Sequence, residues 1–287
     1  MDAGVGDGLA GTWQLREGQV AFHSEAPTIA AASQDLPAGA YTTLRTYQRN
    51  RVVRLDQHVK RLVDSARIQG HAAPLDEADV RRLLGEALRS TGHPESKLRL
   101  TFAPPSLFVS IEPLEPLPES LYRDGVWCVT IPVRRDHPEA KDTRFLATAS
   151  AAYGALPPGA HEGLMVAEDG SILEGLSSNF FAIVDGVLHT EDARALHGIT
   201  RSIILDICHG LMPVSLTAAR VADLDRVAEC FLTSVSREIL PVTRVDHVTI
   251  GPGTPGPMTR AVTARFRALV EREAGPVLPF ATRSGTS

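Results

Sequence analysis

The chain has 287 residues, of which 43% are hydrophobic, so it can bury a substantial core in one large domain or two smaller ones. Its formal net charge of −5, with the arginines dispersed among acids, excludes a basic field that would attract nucleic acid or an anionic membrane. Three scattered cysteines exclude a disulfide framework and a Cys-x-x-Cys metal site. No stretch approaches the roughly 18 apolar residues of a membrane span, and no secretory pattern opens the chain. We therefore expect a globular, cytoplasmic protein with no metal, nucleic-acid or membrane partner.

The N-terminal part of the chain alternates between strand and helix patterns. Asp56 is a suitable N-cap for a first helix, and Gly70 is placed to end it. A second helix is predicted to run from about Asp76 to Gly92. The predicted elements are, in chain order, a strand at 12–24, a hairpin of 40–47 and 52–55, helices at 56–70 and 76–92, and strands at 98–103 and 107–111 joined by a proline turn.

Three prolines in the run 113–118 exclude regular structure there and indicate a change of domain. We predict a small N-terminal domain at 1–118, a linker at 119–125 and a large C-terminal domain at 126–287, with a disordered tail at 282–287. The elements predicted for the C-terminal domain are strands at 127–133, 163–167, 180–184, 187–189 and 229–233 and helices at 144–156, 199–211 and 257–274.

Lys141 is one of only three lysines among 29 basic residues, and it follows the predicted strand at 127–133. Arg134, Arg135 and Arg144 are its cationic neighbours. Cationic surroundings or desolvation favour the neutral amine of a lysine, the form that makes a Schiff base with an aldehyde. The alternative is an ordinary solvated lysine.

Glu174 stands at a strand end immediately before Gly175, so its carboxylate would project where two strands open into a loop. A carboxylate in that position could keep the ring nitrogen of a pyridoxal cofactor protonated, which makes the ring a strong electron sink. A glutamate in a solvated turn is the alternative.

The run His197-Gly-Ile-Thr200 opens a predicted helix with a glycine and a hydroxyl. Free N–H groups and the helix dipole at such a point favour a phosphate, although simple capping gives the same pattern. Arg61 could bind that phosphate with two hydrogen bonds, or it could be a surface arginine. Ser234 and Ser236 could add hydroxyls, or they could bond locally within a turn.

Together these residues, in this order, resemble the sequence pattern of the class IV, or fold type IV, pyridoxal phosphate enzymes. That family includes branched-chain aminotransferases, D-amino acid aminotransferases and aminodeoxychorismate lyase. Lys141 and Glu174 are 33 residues apart, enough for a helix and a returning strand. The matching blocks are Gly39-Ala-Tyr41-Thr-Thr-Leu-Arg-Thr-Tyr47, Arg54-Leu-Asp-Gln-His58-Val-Lys-Arg61-Leu, Glu174-Gly-Leu-Ser-Ser-Asn179, Gly198-Ile-Thr-Arg201 and Glu238-Ile-Leu-Pro-Val242.

The resemblance implies an α/β fold of the α+β type, with a small N-terminal α/β domain, a larger C-terminal mixed-sheet domain, pyridoxal 5′-phosphate as cofactor and a homodimer. It implies that Lys141 forms the Schiff base and shuttles the proton, and that Glu174 partners the pyridine nitrogen. The residues it implies for cofactor binding are Arg61, Glu174, Ser178, Asn179, Gly198, Ile199, Thr200, Ser234 and Ser236.

Three positions depart from the family pattern. Val235 stands where the family often has threonine, so a phosphate contact there would come from the backbone or a neighbouring serine. Leu146 replaces the tyrosine that branched-chain aminotransferases place five residues after the lysine. A Pro104-Pro105 turn replaces the Arg-x-His carboxylate site of the D-amino acid enzymes, which leaves Tyr41 and Arg99 as candidates for substrate binding, or Arg99 as a structural residue.

The leading hypothesis is therefore an aminotransferase that moves an amino group from an amino acid or amine to a 2-oxo acid. The alternative within the family is aminodeoxychorismate lyase, which releases pyruvate and 4-aminobenzoate. Tyr41-Thr-Thr43 and Leu146 are similar to the lyase branch, whereas Thr200 is similar to the transaminases. A third hypothesis is a protein that binds the cofactor without catalysis.

Overall fold

A computed structural model describes residues 6, 8–71 and 73–278. Described residues up to Leu114, together with those from Val270 onward, form one compact unit, and Glu115–Leu269 form the other. The predicted tail at 282–287 lies outside the described residues. No helix within the described ranges combines the length and apolar character needed to cross a membrane.

The N-terminal unit is an antiparallel sheet with two long helices against one face. Its strands follow the order β2-β1-β6-β5-β3, and every neighbouring pair is antiparallel. The elements are β1 (Ala10–Arg16), β2 (Gln19–Ala26), α1 (Ile29–Ala32), β3 (Ala40–Arg45), β4 (Arg51–Val52), α2 (Leu55–Ile68), α3 (Glu77–Thr91), β5 (Ser96–Ala103) and β6 (Ser106–Pro113).

Both long helices of this unit form about where the sequence predicted them. The helix predicted from about Asp76 to Gly92 is α3. The Asp76 side chain accepts from the Ala78 amide at 2.9 Å, and Gly92 ends the helix with a φ of 66°. Gly70 follows the end of α2 with a φ of 88°, as predicted. The predicted N-cap of α2 is wrong, because Arg54, with a φ of 51°, stands there and Asp56 lies in the first turn.

Two strand predictions in this unit are also wrong. The single strand predicted at 12–24 is the hairpin of β1 and β2, because Glu17 and Gly18, with φ values of 52° and 76°, make a turn. The hairpin predicted at 40–55 is not formed, because β3 pairs with β5 instead. An isolated bridge joins Tyr47 to Arg51, just before the second predicted arm.

The C-terminal unit is built on a mixed sheet, as the resemblance implied. The strand order is β12-β11-β10-β13-β14-β7-β8-β9, with β15 paired to β14, and the pairs β7–β8, β7–β14 and β11–β12 are parallel. The elements are α4 (Glu119–Asp124), β7 (Val126–Ile131), α5 (Phe145–Gly154), β8 (Glu162–Val166), β9 (Ile172–Gly175), β10 (Asn179–Val184), β11 (Val187–His189), α6 (Ile199–Cys208), β12 (Val214–Ser215), β13 (Val227–Ser234), β14 (Glu238–Val245), β15 (Val248–Thr249) and α7 (Pro257–Glu273).

The last described residues belong to a different unit from the one predicted. The sequence predicts one domain over 126–287, whereas the described residues after Leu269 group with the N-terminal unit. There β16 (Gly275–Pro276) pairs antiparallel with β4, and buried Val277 joins the core that α2 and α3 cover. Residues 119–125, predicted as a linker, contain α4. The segments β4 and β16 are far apart in the sequence, so their pairing produces no local pattern from which it could be predicted.

The start of α7 gives a stability prediction. Glu229 accepts from the Met258 and Thr259 amides at 3.0 and 2.7 Å, and a Cβ on Gly256 would lie 2.0 Å from the Glu229 carboxyl carbon. Gly256→Ala is expected to lower the free energy of unfolding by about 1–3 kcal/mol, because it displaces this cap. Urea denaturation measures the change. In the control Gly210→Ala, the new Cβ would lie 3.6 Å from the nearest atom, so an equal loss there would contradict the explanation.

Candidate active site

Glu174 is a buried carboxylate whose two oxygens are both bonded. It lies on β9, with its Oε1 2.8 Å from Arg135 Nε. Its Oε2 accepts from Asn179 Nδ2 at 3.3 Å and from the Leu196 amide at 3.2 Å. Burial raises the pKa of Glu174, while Arg135, the Leu196 amide and Lys141 oppose the rise. The strand end therefore holds an acid in a fixed orientation.

Lys141 lies in the loop between β7 and α5, four residues before α5 begins. Its side chain is half-buried, and the preceding residue, Ala140, is only 2% exposed. The charge of Lys141 acts on the Glu174 carboxyl, so the structure brings the predicted amine and the predicted acid into one electrostatic neighbourhood.

Asn179 connects this acid to the start of α6. Its Nδ2 also donates to the Leu196 carbonyl at 2.7 Å. A Cβ on Gly198 would lie 2.2 Å from Asn179 Oδ1, closer than real Cβ contacts allow. Position 198 therefore has to be glycine for the Asn179 side chain to keep this place.

The first turn of α6 has features that favour the binding of an anion. Gly198, at the N-cap, has no side chain to cap the helix, and no acidic residue follows in the first turn. The buried residues Ile199 and Thr200 begin the helix, so their N–H groups and the helix dipole are directed to one place. Arg201 is turned to the preceding loop, where it bonds Asp192 Oδ1 at 2.8 Å.

Two of the three predicted serines are held by a second buried ion pair. Glu162 is fully buried and its Oε2 lies 3.0 Å from Arg237 Nη1. Ser178 Oγ donates to the same oxygen at 3.0 Å, and Ser234 Oγ accepts from Arg237 Nε at 3.1 Å. Ser236 is half-buried in the turn between β13 and β14. Sequence reasoning missed both members of the Glu162–Arg237 pair.

The N-terminal unit holds the other three predicted residues. Arg61, on α2, donates to Thr42 Oγ1 at 2.7 Å, and burial lowers its pKa to about 10, with Tyr41 opposing. Arg99 lies over the Tyr41 ring, 5.1 Å from its centroid, and donates to Ser33 Oγ at 2.5 Å. Burial also lowers the pKa of Arg99, so both arginines stand in desolvated surroundings.

Residues 39–245 match the sequence model of the family described as amino-transferase class IV. The chain belongs to the class IV aminotransferases. This confirms the family predicted from the Glu174-Gly-Leu-Ser-Ser-Asn179 and Gly198-Ile-Thr-Arg201 blocks.

Named relatives agree with this membership. A branched-chain-amino-acid aminotransferase of Pseudomonas aeruginosa is 27% identical over 267 residues, covering 81% of this chain and 84% of the relative. A D-alanine aminotransferase of Bacillus licheniformis is 29% identical over 243 residues, covering 78% and 84%. The solved structure of the branched-chain aminotransferase from the thermophilic archaeon Thermoproteus uzoniensis with norvaline has the same fold, with a TM-score of 0.78 and 25% identity over 94% of this chain and 100% of that one.

Two further residues of this class IV aminotransferase belong to the neighbourhood of Glu174. Arg135 bonds Glu174 directly, and the only signal in the sequence was a pair of arginines shortly before Lys141. Thr233 is the cross-strand partner of Asn179 and is 2% exposed. Its Oγ1 finds no hydrogen-bond partner among the described residues. A lone threonine at the end of a strand carries no signal of its own.

Proposed function

We propose that this class IV aminotransferase uses pyridoxal 5′-phosphate to move an amino group from an amino acid to a 2-oxo acid. The observation that carries the proposal is the buried Glu174 carboxylate, on which the charge of Lys141 acts, within a unit that also contains the start of α6, where no side chain caps the helix. An acid for the ring nitrogen, an amine for the aldehyde and N–H groups for the phosphate are the protein groups that this cofactor needs.

Buried atoms near Glu174 fit such a cofactor. Thr233 Oγ1 and Arg135 Nη1 are buried without a hydrogen-bond partner among the described residues, and polar atoms buried in this way favour a missing polar group. Glu174 would hold the ring nitrogen, and the amides of Ile199 and Thr200 would hold the phosphate. The remaining proposed contacts are Arg61, Ser178, Asn179, Gly198, Ser234 and Ser236.

The bound cofactor would supply an aldehyde to take up the amino group and a ring to accept electron density from the substrate Cα. Lys141 would attach the aldehyde in the resting enzyme and then, as a free amine, remove the proton from the substrate Cα. Glu174, kept ionised, would hold a proton on the ring nitrogen. Tyr41 and Arg99 would contact the substrate, with Arg99 available for a carboxylate.

A half-reaction screen tests the proposal. The protein with bound cofactor is mixed with L-amino acids, D-amino acids and simple amines, one at a time, and the visible spectrum is followed. Spectral conversion by an amino acid, reversed by a 2-oxo acid, is the expected result. Reduction with borohydride should fix a pyridoxyl label on Lys141, and a protein that binds the cofactor but responds to no donor would contradict the proposal.

The lyase is the second candidate because Leu146, half-buried in the first turn of α5, offers no phenol where branched-chain aminotransferases have tyrosine. Incubation with aminodeoxychorismate in the absence of any 2-oxo acid separates the two reactions. Pyruvate release would show the lyase, since an aminotransferase cannot release it.

The proposal also covers the oligomeric state of the protein and its location in the cell. We expect a homodimer located in the cytoplasm, as the resemblance and the composition imply. Sedimentation of the purified protein at several concentrations measures the dimer, and a mass of one chain throughout would contradict it.

Gly198→Ala is expected to weaken binding of pyridoxal 5′-phosphate by about tenfold or more, because the new methyl group displaces Asn179 from the acid and from the start of α6. Fluorescence titration of the protein without cofactor gives the Kd. An unchanged Kd would show that Asn179 has no part in the cofactor site.

A further inference from the structure

The three cationic neighbours of Lys141 differ in their surroundings. Arg134 is half exposed and lies 3.0 Å from the exposed Glu168, and Arg144 pairs with Asp142. Arg135 keeps only 5% of its side chain exposed and pairs with Glu174, which keeps 3%. A buried ion pair stabilises a fold poorly because both charges lose their water, so this pair favours a functional explanation.

The Arg135 guanidinium is held from three sides. Its Nε donates to Glu174 Oε1 at 2.8 Å, and its Nη2 donates to the Leu176 carbonyl at 3.3 Å. The guanidinium carbon lies 3.8 Å from the centroid of the Phe145 ring, and Phe145 is the first residue of α5. Arg135 therefore contacts both the strand that carries the acid and the helix that follows Lys141.

The two Glu174 oxygens have different partners. Oε1 faces the guanidinium, whereas Oε2 accepts from the neutral donors of Asn179 and Leu196. A positively charged group at one oxygen favours the ionised carboxylate, against the effect of burial.

We propose that Arg135 is a positioning residue that keeps Glu174 ionised and oriented, so that the proton between Glu174 and the cofactor ring nitrogen lies on the nitrogen. This inference rests on the proposed function, in which Glu174 faces that nitrogen. Without Arg135 the same proton moves from the nitrogen to the Glu174 oxygen, with no other bond changed. The neutral ring then withdraws electrons less strongly from the substrate Cα.

A double-mutant cycle of Arg135→Gln and Glu174→Gln tests the inference, with Arg134→Gln as the control one residue away. We measure the Kd of the cofactor-free protein for pyridoxal 5′-phosphate and, separately, kcat. R135Q should raise the Kd and lower kcat by about tenfold or more each, the effect of one pKa unit. R134Q should change neither by more than about twofold. In the E174Q background, R135Q should have no further effect on either quantity beyond about twofold.

An equal loss in both backgrounds would overturn the inference, because Arg135 would then act without Glu174. Circular dichroism establishes that each variant is folded. If R135Q does not fold, Arg135→Lys, which keeps the charge but not the fork of donors, completes the cycle. A loss with R135K that disappears in the E174Q background supports the inference, and an equal loss in both overturns it. The proposed function fails on a different result, the absence of a pyridoxyl label on Lys141 of the wild-type protein.

Discussion

Replacing Lys141 with alanine is expected to lower the turnover of any amino donor by about 10³-fold or more, because the amine would both attach the cofactor and move the Cα proton. The fold should persist, since Lys141 lies in the loop between β7 and α5 and is only half-buried. Steady-state kinetics measures the loss, and circular dichroism compares the folded states.

Lys60→Ala is the matched control for this experiment. Lys60 is 79% exposed and pairs with Asp64 one helical turn away, an interaction that contributes little. Only Lys60, Lys97 and Lys141 can take a pyridoxyl label at a lysine, so peptide mapping after borohydride reduction identifies the attachment site without ambiguity. A label at Lys60 or Lys97, or full turnover by K141A, would refute the role of Lys141.

Glu162→Ala is expected to lower the free energy of unfolding by about 3–5 kcal/mol, because it leaves the Arg237 charge buried without its partner. Arg237 Nη2 also donates to Ser177 Oγ at 2.7 Å, and Tyr153 bonds the same hydroxyl at 2.5 Å. The loss should therefore also loosen the loop that carries Ser178. Urea denaturation gives the first effect, and the Kd for pyridoxal 5′-phosphate gives the second.

Two further variants identify the cause of this loss. Glu168→Ala removes a glutamate whose side chain is 89% exposed, and it should change stability little. A double variant that replaces Glu162 and Arg237 with apolar residues of similar volume should recover part of the stability, because no buried charge is then unpaired. If E162A and E168A lowered the free energy of unfolding equally, burial of the Glu162–Arg237 pair would not be the cause of the loss.

The sequence predicted features whose causes are local. Asp76 and Gly92 limit α3 because a cap and a left-handed glycine act within one helical turn. The acid and the helix start were indicated by short sequence blocks around Glu174 and Gly198 that resemble those of the family. Arg54 was missed as an N-cap because an arginine with positive φ has no signature in the sequence.

Features that depend on distant pairing could not be predicted. Glu162 and Arg237 are 75 residues apart and meet because β7 pairs in parallel with both β8 and β14. Arg135 and Glu174 are 39 residues apart, and the sequence offered no reason to prefer Arg135 over Arg134 or Arg144. Which arginine is buried is decided by packing, which periodicity does not reveal.

The pairing of β16 with β4 has a consequence for synthesis of the chain. The N-terminal unit is translated first, yet its core includes Val277, and Leu278 fills the space beside Gly85 on α3. The N-terminal unit therefore stays incomplete until residues 275–278 leave the ribosome. A premature stop codon after α7 would damage the opening unit of the chain, far in sequence from the lost residues.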